Sequence, residues 1–125
     1  MHENEIAKIV LDICFEIHRK LGPGLLESVY EEVLCYELAQ HGLSFSRQKP
    51  LPVYWKGVKM EIGFRTDVIV EEKVIIELKS VESMSPVFPK VVLTYLRMTE
   101  LKLALLLNFH HVLFKDGIIR LVNGL

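Results

Sequence analysis

Little in this sequence invites a disulfide, a metal cage or a membrane. Only two cysteines occur, Cys14 and Cys35. They fall in separate helical patterns without metal-type spacing, so both read as reduced, packed thiols of a cytoplasmic protein. The longest apolar run, around Leu103 to Leu107, is far too short to span a bilayer. Met1 to Glu5 is polar and acidic rather than basic and then apolar, so no signal peptide is expected. No Ser/Gly or Pro-rich linker, internal repeat or low-complexity tract interrupts the chain, so residues 1–125 are expected to form one domain. No Ser/His/Asp set, glycine-rich phosphate loop or zinc spacing is present. The adjacent His110 and His111 would point to opposite faces of a strand and could not share one ion.

A strong charge of one sign is also missing. The net charge is −1, which rules out a basic field over the whole molecule. The charge is uneven, however. Residues 1–42 carry eight acids against three bases, and residues 43–125 carry eight acids against twelve bases.

The apolar pattern is rich. Ile6, Ile9, Val10, Ile13, Ile17 and Leu21 recur at three and four, which predicts an amphipathic helix ending at "LGPG". Leu26, Val29, Tyr30, Val33, Leu34 and Leu38 predict a second helix, closed at His41-Gly42. From Leu43 the period changes. "LSFSRQKPLPVYW" contains two prolines and reads as an irregular edge strand, followed by a turn at Lys56-Gly57. "KMEIGFRTDVIV" and "KVIIELKS" read as paired strands. A helix start at Ser85 to Pro89 opens a short helix carrying Val92, Leu93, Tyr95 and Leu96. "KLALLLNF" reads as a strand buried on both faces, and "HVLFKDGIIRLV" as a hairpin turning at Asp116-Gly117. The predicted order is α-α-β-β-β-α-β-β, an α/β fold with helices flanking a mixed β-sheet.

The stretch "RTDVIVEEKVIIELKS" holds charges where Val and Ile dominate. If Glu71-Glu72-Lys73 is a three-residue turn, Val70 pairs with Val74, and counting back sets Asp67 opposite Glu77. Cβ atoms so placed lie about 5 Å apart. Two carboxylates at that distance repel, and a divalent cation removes the conflict, since Mg²⁺ takes oxygen ligands at about 2.1 Å and uses one or two carboxylates plus waters and substrate phosphate. Lys79 shares this face and would hold a water or a phosphate oxygen. The alternative is a solvated sheet face on which Asp67 pairs with Lys79 or Arg65 and no metal binds.

Asp67…Glu77-Leu78-Lys79 resembles the active-site signature of the PD-(D/E)XK nuclease superfamily. "GLLESVY", Gly24 to Tyr30, resembles the G-x-x-E-x-x-Y motif of its GxxExxY family. "RQKPLPVYWKG", "YLRMTELKLALLLNF" and "DGIIR" resemble that family in order and spacing, so the likeness runs over roughly residues 6 to 121. It implies a restriction-endonuclease-like core and Mg²⁺-dependent phosphodiester hydrolysis, with Mn²⁺ as a substitute ion. Asp67 and Glu77 would be metal ligands, Lys79 would assist the attacking water, and Glu27 would match the acidic helix residue that reaches the metal. Gln48 matches a family glutamine, and Tyr30 would pack with its hydroxyl at the site edge. One position departs: Val91 stands where the family commonly has glutamine.

The charge split adds an expectation that Arg47, Lys49, Arg65, Lys79 and Lys90 surround the site and contact phosphates. The substrate implied is nucleic acid, DNA before RNA. Cutting both strands would call for a homodimer, with "LALLL" serving as either core or interface. The competing function is a binding or interaction module that keeps the fold without cutting.

Overall fold

The computed structural model describes residues 1–125. Helix α1 (Glu3–Leu21) begins with a reciprocal cap. The His2 side chain accepts the Asn4 N–H, and the Glu5 carboxylate accepts the N–H of His2. Helix α2 spans Glu27–Gln40. Strands β1 (Phe45–Leu51), β2 (Tyr54–Trp55), β3 (Val58–Lys59), β4 (Phe64–Val70) and β5 (Val74–Lys79) follow. Helix α3 (Val87–Thr99), strand β6 (Leu103–Asn108), a single 3₁₀ turn (Phe114–Gly117) and strand β7 (Ile118–Val122) complete the chain.

Five strands form one mixed sheet in the order β1-β4-β5-β6-β7. Only β5 and β6 run parallel, joined by the crossover that contains α3. On one face Ile6, Val10, Ile13 and Ile17 of α1 and Tyr30, Leu34 and Leu38 of α2 pack over Val68, Val70, Val74, Ile76, Leu78 and Leu105. On the other face Val92 and Leu96 of α3 cover Ile69, Ile75, Ala104 and Leu106. Covering both faces demands near-continuous apolar strands in the middle, which explains "VII" in β5 and "LALLL" in β6. Every residue of β6 is buried, so the strand is interior and presents no dimer interface. No helix is long and apolar enough to cross a membrane.

The predicted order of the main elements is present, with three corrections. The strand expected from Lys59 begins at Phe64, and the preceding residues form a separate β2–β3 ribbon. Its turn, Lys56-Gly57, has φ of 51° and 80°, the paired left-handed values of a two-residue hairpin turn. Leu26 and Val29, assigned to the apolar stripe of α2, are exposed, because Leu26 caps the helix from outside. Asp116-Gly117 does not turn a hairpin. It lies in the 3₁₀ turn that tucks Phe114 into the core, where a Cβ on Gly117 would collide with the Asn108 carbonyl. The strand that pairs with β7 is β6, from Leu107↔Ile118 to Leu103↔Val122.

Candidate active site

The β4–β5 register is the one counted from the turn: Val70↔Val74, Ile69↔Ile75, Val68↔Ile76. The next rung would join Asp67 to Glu77, and there the backbone ladder stops. β5 remains paired with β6 as far as Lys79↔Asn108, so β4 is the strand that parts. Each carboxylate then serves the other strand. The Asp67 N–H donates to Glu77 Oε1 at 3.2 Å, and the Leu78 N–H donates to Asp67 Oδ2 at 2.8 Å.

The row continues onto β1. Ser46↔Ile69, Arg47↔Val68 and Lys49↔Thr66 are paired, so Gln48 stands opposite Asp67 although that rung is missing. Gln48 has φ 52°, a left-handed backbone that a non-glycine residue adopts only under constraint. Its amide Nε2 donates to Glu31 Oε1 at 2.7 Å and, more loosely, to Asp67 Oδ1 at 3.3 Å. Gln48, Asp67 and Glu77 thus form one line across three neighbouring strands.

Burial sets the electrostatics. Glu77 is 5% exposed, and the loss of hydration, followed by the charge of Asp67, pushes its carboxyl up to about 9. At neutral pH it holds a proton in the metal-free protein. The Lys79 charge opposes that shift, as expected for an ammonium close by. Lys79 Nζ lies 3.6 Å from the centre of the Phe88 ring, so α3 cradles the cation from above.

Glu27 approaches from the first turn of α2, but Oε2 accepts the Ser80 N–H at 2.9 Å, just past the end of β5. It pins that strand end rather than joining the carboxylate pair. No three His, Cys, Asp or Glu side chains converge into a complete metal cage. The donor set nevertheless suits a hard cation that keeps several waters, because Asp67 and Glu77 supply two carboxylates on facing strands. The Ser80 hydroxyl beside Glu27 is buried with no hydrogen-bond partner, leaving one polar atom free for such a shell.

Other expected residues lie elsewhere. Arg47 turns to α2, where Nε meets Glu31 Oε2 and an Nη meets Glu32 Oε2, each at 2.7 Å. Its charge is paired with these two carboxylates at the surface. Tyr30 is fully buried, stacked on Phe109 at 4.2 Å, and its hydroxyl donates to the Gly22 carbonyl and accepts the Leu25 N–H. It clamps the "GPG" loop through those two bonds. Lys49, Arg65 and Lys90 are exposed and belong to no ion pair, and Lys49 lines a cleft between β1 and the end of α3. Around the expected basin Glu77 is buried, and Asp67 and Lys79 are half-buried.

Three residues enter the site without having been anticipated. Glu31 is buried and braces both Gln48 and Arg47; its position four residues after Glu27, on the same face of α2, was the available signal. The Tyr95 phenol is pushed upward by burial and then by the charges of Glu77 and Asp67, which places it near the pair. Asn108 clamps the loop after β5 by bonding both the N–H and the carbonyl of Val81.

A family model of the PD-(D/E)XK nuclease superfamily matches residues 4–121. The chain belongs to that superfamily. No curated protein and no solved structure matches it. The superfamily's restriction-endonuclease-like fold agrees with the five-stranded mixed sheet flanked by helices, and nucleic acid is the substrate class and a divalent metal the cofactor that the superfamily implies. Asp67, Glu77 and Lys79, which resemble its signature, lie where β4 and β5 part.

Proposed function

We propose that this chain is a metal-dependent nuclease of the GxxExxY branch, hydrolysing phosphodiester bonds in DNA with Mg²⁺, for which Mn²⁺ substitutes. The observation that carries the reading is the Asp67–Glu77 pair at the parted end of the β4–β5 ladder, with Lys79 two residues along the same face. Asp67 and Glu77 would hold the cation, and Glu27 would reach its shell through a water, keeping its bond to Ser80. A divalent cation bound there neutralises phosphate charge and lowers the pKa of a water.

The chain's own groups do the rest. Gln48 holds Asp67 from the β1 side and is itself held by Glu31, so the Asp67 carboxylate keeps one orientation. Lys79 is kept close by Phe88 and orients the attacking water or a phosphate oxygen. The water oxygen bonds phosphorus as its proton passes to solvent, and the P–O bond on the opposite side breaks, its oxygen taking a proton from solvent to leave as a hydroxyl. Lys90 and Arg65 remain available for flanking phosphates, whereas Arg47 does not.

One observation favours a second reading, a binding module that does not cut. Val91 puts an apolar side chain where the resembled family has glutamine. Incubation of the purified protein with supercoiled plasmid and linear single strands, in Mg²⁺, Mn²⁺ or EDTA, decides between them. Cleavage that requires metal and disappears in E77Q supports the nuclease; metal binding without cleavage supports the module.

A further inference from the structure

The β2–β3 ribbon, Tyr54 to Lys59, belongs to neither core. Tyr54, Trp55 and Val58 are 56%, 65% and 59% exposed, and Ile62 just beyond is 84% exposed. So much apolar surface on one small projection marks an interaction site. From Lys49 to Arg65 the chain carries four cations, Lys49, Lys56, Lys59 and Arg65, against one acid, Glu61. None of the four joins an ion pair; the pairs present involve Lys8, Lys20 and Arg47.

Topology puts this ribbon beside the site. It connects the end of β1 to the start of β4, at the sheet end where β5 finishes with Lys79. Asp67 is three residues along β4 from Phe64, about 10 Å at ~3.3 Å per residue. Two clefts flank the root of the ribbon. One, of about 500 Å³, has Lys59, Arg65, Ile62 and Glu61 on its walls. The other, of about 240 Å³, is walled by Tyr54 and Lys49. Phe64 lines both and stacks on Tyr95, with ring centres 4.5 Å apart and planes 9° apart.

An occupant matching this surface must offer flat faces and a regular negative charge. An acidic peptide supplies the charge without the faces, and a duplex hides its base faces in the stack. We propose that the ribbon is a binding arm for single-stranded nucleic acid, with Trp55 and Tyr54 stacking on bases and Lys56, Lys59 and Arg65 contacting phosphates. The arm delivers an unpaired strand to the Asp67–Glu77 end of the sheet, and this delivery role rests on the nuclease reading above.

Trp55 is the chain's single tryptophan, so its emission reports the arm directly. The metal-free protein in EDTA is titrated with a single strand of about a dozen nucleotides, within the usual range of single-strand sites, and with a duplex of equal length. Binding is followed in parallel by anisotropy of a labelled strand. Expected are quenching of Trp55 by the single strand, weaker binding of the duplex, about a tenfold loss of affinity in W55A and recovery in W55F. K56A/K59A should lower the slope of log affinity against log salt by about 1.4. Trp55 emission unchanged at saturation, W55A binding like wild type, equal effects on duplex, or no binding of either strand would each overturn the arm. Because no metal is present, absence of cleavage leaves a positive result intact. Conversely, metal-dependent cleavage with an unmoved Trp55 sinks the arm and keeps the nuclease.

Discussion

Asp67 and Glu77 face each other one step beyond the last rung of the β4–β5 ladder, and each carboxylate accepts an N–H from the strand opposite. These two bonds replace the backbone pairs that the rung would have made. They also hold two acids close together in a partly buried place.

That arrangement makes metal-free stability depend on pH. The Glu77 carboxyl moves from 4.5 when exposed to about 9 in the fold. Below pH 4.5 it is protonated in both states. Above it, only the folded state retains the proton, so unfolding is increasingly favoured until about pH 9. Urea midpoints in EDTA should therefore show a Glu77 contribution that is lost between these values, and E77Q should abolish that part of the slope. An identical pH dependence in both proteins would show that Glu77 is not buried as found.

Metal should reverse the effect. Mn²⁺ at a hundredfold excess over its Kd should stabilise wild type by about 2.7 kcal/mol and do much less for D67N or E77Q. Since the ion displaces a proton from Glu77, its stabilisation should grow as pH rises from 6 to 8. Thermal melts with and without EDTA measure this. Equal shifts in all three proteins would place the ion elsewhere.

Gln48 permits a comparison in which the amide is lost twice and the backbone differs. Q48A and Q48G both remove the bonds to Glu31 and Asp67, but only glycine accepts φ 52° without strain. Q48G should be more stable than Q48A by about 1 kcal/mol. Both should cut more slowly than wild type, because Asp67 loses its brace. Denaturation curves and plasmid-nicking rates on the same preparations separate the two effects.

Tyr30 provides the opposite control. Y30F removes the hydroxyl that joins the Gly22 carbonyl to the Leu25 N–H and should destabilise the fold by about 1–3 kcal/mol. The cleavage rate per folded molecule should stay within twofold. A large fall in that rate with little loss of stability would return Tyr30 to the site.

The Asp67–Glu77 opposition was legible because it depends on local rules: period-two alternation, and a three-residue turn that sets Val70 against Val74. The helices and the apolar centre of the sheet were legible for the same reason, since period and length report which faces are covered. Partners distant in the chain were not. Arg47 looked like a phosphate ligand, and only the packing of α2 beside β1 turned it onto Glu31 and Glu32. Tyr30 shared a motif with Glu27, yet its hydroxyl was claimed by a loop that folds back over it. Asp116-Gly117 carried a hairpin signal, but the gain from burying Phe114 and seating Gly117 against Asn108 outweighed the local turn preference. A side chain's hydrogen-bond partner is chosen by whatever donors and acceptors reach it when the core closes. That choice is made across tens of residues of chain, and no spacing along the sequence records it.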